Sequence, residues 1–585
     1  MISTSNLSVQ FGKRVLFDEV NVTFKKGNCY GIIGANGSGK STFLKILSGK
    51  LNPHSGNVII DTNKRLSVLE QNQNEFDDFE TLKTTIMGNK VLYEIKKEMD
   101  DLYSKTDFND DDGVRVGELQ NRYEEMDGWN AESDAASLLS QLGVNENLHY
   151  TKMSDLEPKT KVRVLLAQAL FGNPDILIMD EPTNNLDFET IKWLQNFLIN
   201  YENTVIVVSH DRYFLDSVCT HISDIDYGKI SHYTGNYSFW YQSSQLALKQ
   251  RAQQNKKAED KKKELEEFIS RFSANVAKSK QATSRKKMIE KLNIEEIKPS
   301  SRRYPGIIFE QERESGDQIL TIENLNFSSA INDLNLILNK GDKLILFSKD
   351  SKITSSFYEI ILNNSNQSEA IKWGSTISKS FIPNDHDSYF NKDLNLIDWL
   401  RQWANNDEER KEDFIRGFLG KMIFSGDEAL KSCKVLSGGE KVRCMLSKTM
   451  MERSNFLLFD DPTNHLDLET ITALNNSLIR FKGNLILTTQ DYEFANSVGN
   501  RVFEIGPKGY IDKLMKFEDY LNDEKVKEQR NLIYWSLITA SCFLLTDFII
   551  FSEILFISLS LKVFSFELND TENEYDILFF VLSDL

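Results

Sequence analysis

At 585 residues the chain exceeds what one hydrophobic core supports, and three or four domains is the expectation. Hydrophobic residues at 40% and charged residues at 27% are those of an ordinary globular protein. A formal net charge of −18 argues against bulk attraction to nucleic acid unless the charge is segregated along the chain.

The N-terminus, MISTSNLSVQF, has neither the basic stretch nor the apolar core of a secretion signal. Five cysteines, Cys29, Cys219, Cys433, Cys444 and Cys542, form an odd set without CxxC spacing. They read as reduced, unligated thiols of a cytoplasmic protein.

The first chemical motif is GIIGANGSGKST, an apolar strand followed by a phosphate-binding loop and a helix. Gly34, Gly39, Lys40 and Ser41 satisfy GxxxxGK[ST], with Ala35, Asn36, Gly37 and Ser38 between them and Thr42 after. Glycines let successive backbone N–H groups curl around phosphate oxygens, and the helix that follows points its positive end at them. Lys40 is expected to neutralise charge on the β- and γ-phosphates of ATP, and Ser41 to ligate Mg²⁺. VLEQNQ then places Gln71 after a strand, where it would sense the γ-phosphate and the metal. About residues 80–130, two helical periodicities flank an acidic turn and suggest an inserted helical hairpin.

DILIMDEP predicts a buried strand ending at Asp180, placed to hold Mg²⁺, with Glu181 beside it to orient or deprotonate the attacking water. TVIVVSHD predicts another, with His210 at its carboxyl end able to hydrogen-bond the γ-phosphate.

The chain then repeats itself. ILIMDEPTNNLDFET (176–190) matches FLLFDDPTNHLDLET (456–470) at an offset of 280 residues, and KVRVLL matches KVRCML without a gap. Around the phosphate loop the offset is 314, so the first copy carries about 34 additional residues between loop and acidic strand. Between the copies, Lys249 to Arg303 holds seventeen Lys and Arg against eight Asp and Glu, in a composition rich in helix formers. The remainder of the chain is correspondingly more acidic than its total suggests.

Two such modules with DEPTN-type text resemble the ATP-binding cassette (ABC) superfamily, and the short linker resembles its ABC-F branch. DEPTNNLDFETIKWL, SRFSANVAKSKQATSRKKMIEKL and VLSGGEKVR are similar to the YbiT-like members of that branch, over roughly residues 1–521. The resemblance implies an α/β fold of two tandem P-loop ATPase domains, each a mixed sheet plus a helical subdomain, joined by a long helical linker. The boundaries read as 1–236, 237–303, 304–521 and an apolar tail at 522–585. It implies that Phe11 stacks on adenine, and that ATP is sandwiched between the loop of one cassette and the LSGGE signature of the other. It also implies a translation-related ATPase whose basic linker enters the ribosome from the tRNA exit site. Arg271, Lys278, Lys280, Arg285, Lys286 and Lys287 are the candidate contacts to RNA. No obligate membrane partner is expected, and a monomer would close on itself.

On that arrangement the two composite sites are unequal. The second cassette carries LSGGE intact, so Ser437, Gly438 and Gly439 complete the first site. The first cassette has LEPKT at 156–160, where Glu157 repels phosphate and Pro158 lacks an amide donor. The second loop reads FSKDSKITSSF, with Thr354 at the place of Lys40. Asp461 stands for Glu181, Gln490 for His210 and Asn384 for Gln71. Every loss falls on the second site, whereas the family generally keeps a usable second loop. A transporter energy subunit and a non-hydrolysing ATP-gated binder are the rival readings; the basic linker speaks against the one and the complete first site against the other.

After KVKEQR (525–530) the chain turns apolar, with no charge from Leu532 to Thr546 and then Asp547 and Glu553. A membrane anchor, a segment folding on the cassettes and a degenerate C-terminus remain open for it.

Overall fold

The computed structural model describes residues 1–534 except 13, 70–73, 185, 273–283, 285–301, 328–330, 332, 364–369 and 465. Residues 273–283 and 285–301 of the basic segment and 535–585 of the apolar tail therefore lie outside the described residues.

The first cassette opens with β1 (Ile2–Phe11), β2 (Arg14–Phe24) and β3 (Cys29–Gly34), then α1 (Lys40–Leu47), β4 (Ser55–Ile60) and β5 (Leu66–Leu69). A helical layer follows: α2 (Thr81–Ile86), α3 (Lys90–Tyr103), α4 (Asp110–Glu125), α5 (Ala131–Gln141) and α6 (Pro158–Leu170). The chain returns through β6 (Ile176–Asp180), α7 (Phe188–Ile199), β7 (Thr204–Val208), α8 (Arg212–Val218), β8 (His221–Asp226) and β9 (Lys229–Thr234). β1 pairs antiparallel with β2 and β4; the core sheet runs β5-β6-β7-β3-β8-β9, parallel except for β9. β3 and β7 are buried at every residue, and β6 at all but Asp180, as strands covered on both faces must be. Polar side chains can then emerge only where these strands end.

α3 and α4 form a hairpin. Leu92, Ile95 and Met99 recur at helical spacing on one helix, and Val116, Leu119 and Tyr123 on the other, all buried. Asn109 and Asp112 close a reciprocal capping box at the start of α4, and Lys105 pairs with Asp112 at 2.6 Å across the turn. α9 (Tyr237–Phe272) leaves the cassette, its root held by the buried rings of Tyr237 and Trp240.

The second cassette repeats the plan: β10 (Leu320–Leu325), β11 (Leu334–Leu338), β12 (Lys343–Phe347), α10 (Ser351–Leu362), β13 (Ile371–Trp373), β14 (Lys379–Ile382), α11 (Leu396–Arg401), α12 (Glu412–Lys421), α13 (Gly438–Glu452), β15 (Phe456–Asp460), α14 (Leu468–Arg480), β16 (Asn484–Thr488), α15 (Tyr492–Val498), β17 (Arg501–Gly506), β18 (Gly509–Lys513), α16 (Phe517–Asn522) and α17 (Glu524–Tyr534). Its core sheet runs β14-β15-β16-β12-β17-β18, strand for strand the order of the first. α11 and α12 occupy the places of α2 and α5, and the α3–α4 hairpin has no counterpart.

The cassettes meet by exchange. Phe188, at the start of α7, lies 5.6 Å from the ring of Phe347 and 5.2 Å from that of Phe517 in the second cassette. Its repeat mate Leu468, at the start of α14, is buried within the core of the first. Tyr213 and Tyr492 meet across the middle, their rings tilted by 32° with centroids 4.4 Å apart. No helix among the described residues is long and apolar enough to cross a membrane. Phe188→Ala removes an aromatic anchor shared by two cores and should cost about 1–3 kcal/mol of stability, read by equilibrium denaturation in urea.

Candidate active site

β3 ends at Gly34, and the chain reverses over residues 35–39 before α1 begins at Lys40. Gly37 and Gly39 adopt φ of 75° and 100°, in the left-handed region. A Cβ on Gly39 would stand 2.1 Å from Leu16 Cδ2 and 2.8 Å from Phe17 Cζ, so neither conformation nor space admits a side chain. The result is a backbone cradle at a helix N-terminus, which suits a polyphosphate. Lys40 Nζ folds back to donate to Gly34 O at 2.8 Å. Burial lowers the Lys40 pKa, and the Glu181 carboxyl opposes that shift.

β6 delivers Asp180 at its end, and Glu181 follows at a strained φ of 53°. That geometry turns the Glu181 side chain toward the end of β7, where Oε2 accepts the His210 backbone N–H at 3.1 Å. His210 Nε2 lies 3.4 Å from Glu181 Oε1. Burial pushes Glu181 up to about 8; the His210 N–H opposes this, the neighbouring Asp180 adds to it and Lys40 opposes it. Burial, then Lys40, pushes His210 down to about 3, so its imidazole is neutral at physiological pH. The Ser41 hydroxyl and the Asp180 carboxylate line the same cavity, a hard-oxygen donor pair of the kind Mg²⁺ takes.

Facing these groups is the N-terminus of α13. Ser437 is its N-cap: the Glu440 N–H donates to Ser437 Oγ at 3.4 Å, and Glu440 Oε2 accepts the Ser437 N–H at 2.9 Å. The cavity between the cassettes measures about 980 Å³, and its walls include Lys40, Asp180, Glu181 and His210 from one side and Ser437, Gly438 and Gly439 from the other.

The sequence profile described as ABC transporter matches residues 17–184 and again 331–464, and a second ABC transporter profile matches 223–309. The chain belongs to the ATP-binding cassette family. It is a tandem-cassette protein of the ABC-F type, and an ATP-binding one. It is 52% identical over 540 residues to the uncharacterized ABC transporter ATP-binding protein YkpA of Bacillus subtilis, covering 91% of this chain and all of that one. It is 43% identical to the probable ATP-binding protein YbiT of Escherichia coli O157:H7, covering 90% of this chain and all of that one. Among solved structures, an archaeal ribosome recycling factor in complex with a ribosomal stalk protein shares the fold at a TM-score of 0.55 and 15% identity, covering 91% of this chain and 99% of that one.

In this ABC-F protein the second junction is built differently. α10 begins at Ser351, three residues before Thr354, whereas α1 begins at Lys40, the position that matches Thr354. One extra helical turn thus occupies the place of the backbone cradle of the first cassette. Asp350 caps that turn, accepting the Lys352 N–H at 2.9 Å, so a carboxylate already holds the helix end. Thr354 Oγ1 donates to Ser351 O at 2.9 Å, and Ser355 Oγ to Asp460 Oδ2 at 3.2 Å. Gln490 Nε2 donates to Asp461 Oδ2 at 3.2 Å. Burial, then Asp460, raises Asp461 to about 7, while Lys159 from the altered signature of the first cassette pulls it down. Lys349 pairs with Glu189 across the junction at 2.9 Å. The space left is about 200 Å³.

The structure brings Asn36, Gly37, Gly39, Lys40, Ser41, Thr42, Asp180, Glu181, His210 and Ser437–Gly439 to one cavity. Gly34, Ala35 and Ser38 shape the loop without lining it. Phe11 sits at the end of β1, 52% exposed and outside the lining. Asn384 lines the smaller space at the second junction. Gln71, Lys278, Lys280, Arg285, Lys286, Lys287 and the side chain of Arg271 lie outside the described residues. Sequence reasoning passed over Arg443, Asn464, Asp467 and Thr470, which also line the large cavity. Asn464 and Asp467 stand in the repeated text DDPTNHLD, so that repeat carried the signal for them.

Glu181 gives a pH signature for the nucleotide-free protein. Its folded pKa, about 8, exceeds the ordinary carboxyl value of 4.5, so its favourable share of stability is complete below 4.5 and is lost as pH rises through 8. Glu181→Gln lacks that loss. It should match the wild type near pH 5 and exceed it by roughly 1–3 kcal/mol near pH 8.5 in denaturant titrations.

Proposed function

We propose that this chain hydrolyses ATP at one composite site, built from the loop of the first cassette and the signature of the second, and uses that cycle to bind and leave the ribosome. The observation that carries the reading is the convergence, in one cavity, of Lys40, Ser41, Asp180, Glu181 and His210 with Ser437. The second junction offers an extra helical turn in place of the cradle. It holds the cassettes together and presents α13 to the first.

Mg²⁺ held by Ser41 and Asp180 would neutralise charge on the β- and γ-phosphates. The amides of residues 36–41 cradle those phosphates, and Lys40 swings from Gly34 O to meet them. Glu181 holds the attacking water in line with the γ-phosphorus and takes its proton as the new P–O bond forms, while the bond to the β–γ bridging oxygen breaks and ADP leaves carrying that oxygen. The cations around a bound nucleotide oppose the burial that keeps Glu181 protonated at rest. His210 donates from its neutral imidazole to a γ-phosphate oxygen. Ser437 and the α13 N-terminus stabilise charge developing on the equatorial oxygens, which they reach only when the cassettes are closed. Because both halves belong to one chain, closure needs no second copy.

Ribosome binding is supported by ABC-F membership and by the charge segregated between the cassettes, where Lys and Arg alternate with small residues that permit close approach to an RNA backbone. The reading places the working protein in the cytoplasm.

The test is co-sedimentation with ribosomes. Glu181→Gln should lower turnover about 100-fold or more and pellet with ribosomes in ATP, while Lys40→Ala should do neither binding nor hydrolysis. A Glu181→Gln variant that stays in the supernatant with ATP overturns the ribosome reading, and one with wild-type turnover overturns the catalytic one.

A further inference from the structure

Arg302 lies where the segment between the cassettes rejoins the second, and it belongs to no element of either sheet. Its side chain is 9% exposed. Nη2 lies 2.6 Å from Asp224 Oδ1 on β8 of the first cassette, and Nε lies 3.3 Å from Glu469 Oε1 on α14 of the second. The guanidinium sits 4.3 Å from the ring centroid of Trp240, at the root of α9. One cation therefore touches both cassettes and the point where the interdomain helix departs.

Glu469 stands in the first turn of α14, between residues of the ATP cavity. Asp467 caps that helix by accepting the Thr470 N–H at 2.8 Å, and Asp467, Thr470 and Ile471 all line the cavity. Whatever fixes Glu469 fixes the wall that closes over the phosphates. Asp224 and Glu469 are both raised by burial, and Arg302 is the largest influence opposing the shift of each. Without the guanidinium, two buried carboxyls would lose their shared cation.

The repeat shows that the device is built twice. The 280-residue offset carries Asp224 to Glu504, Trp240 to Tyr520 and Glu189 to Glu469. At the second junction Arg530 of α17 lies 2.9 Å from Glu504 Oε2 and 3.8 Å from Glu189 Oε1, and Tyr520 donates to Glu504 at 2.6 Å. The acids and the ring come from the duplicated module, while the arginine comes from a different segment each time. At the disarmed junction α17 supplies it. At the ATP junction the interdomain segment does.

Resting on the composite-site reading above, we infer that Arg302 is a positioning residue that ties the interdomain segment to closure of the ATP site. Displacement of that segment by a partner is then transmitted to α14 through one guanidinium, without any contact between the partner and the nucleotide.

The test is a double-mutant cycle in the full chain, using Arg302→Ala, Glu469→Gln, the pair together and Arg302→Lys. ATP enters on the first cassette before closure, so Arg302→Ala should lower kcat roughly tenfold while KM changes less than about threefold. The double variant should be no slower than Arg302→Ala, and Arg302→Lys should recover part of the loss, because the effect runs through Glu469. Additive losses, or an unchanged kcat, would overturn the inference. A second readout separates it from the parent reading. In Glu181→Gln carrying a fluorophore on each cassette, Arg302→Ala should raise the ATP concentration for half-closure roughly tenfold. An unshifted midpoint overturns the role of Arg302. Absence of wild-type hydrolysis with that shift intact overturns the catalytic reading alone.

Discussion

Phe188 and Leu468 stand at the same place in the two copies of the repeat, and each packs against the other cassette. That reciprocal exchange is the constraint on which the site depends. The helices behind these residues are joined to the acidic strands β6 and β15 by loops 181–187 and 461–467, so seating them constrains where Asp180 and Glu181 stand relative to α13. An apolar contact is the economical way to set this register. It is non-directional, and it excludes water from the junction.

Given that frame, the inequality of the two junctions follows from local backbone physics. At the first, Gly37 and Gly39 hold φ values that other residues adopt only with strain, and they keep α1 from starting early. At the second the matching residues are Ser351 and Ile353, and the helix extends over them. Once α10 has gained that turn, its first amides point into its own cap and no longer line a cradle. The lost lysine is thus the smaller part of the change. Lys349 meets Glu189 there, so an ion pair crosses the cassettes at a loop position where the first cassette has Ala35.

Much of the site was legible because its chemistry demands residue types at fixed spacing. Gly34 to Ser41 can be read from one line of text, and the apolar runs before Asp180 and His210 announce buried strands whose ends carry chemistry. The facing of Ser437 toward Lys40 was legible only through resemblance to a family, since nearly 400 residues separate them. The extra turn of α10 has no such signature in the text, because Ser351 and Ile353 carry no motif and only the fold shows the helix running over them. Arg302 and Arg530 were also passed over. A charged residue in a basic stretch reads as solvated, and only the fold shows it buried between two carboxyls.

One working site per chain implies one bound nucleotide, and the number bound measures this directly. Native mass spectrometry of Glu181→Gln in saturating Mg²⁺ and ATP should give one ATP per chain, removed entirely by adding Lys40→Ala. Two ATP per chain, or one that survives loss of Lys40, would contradict it.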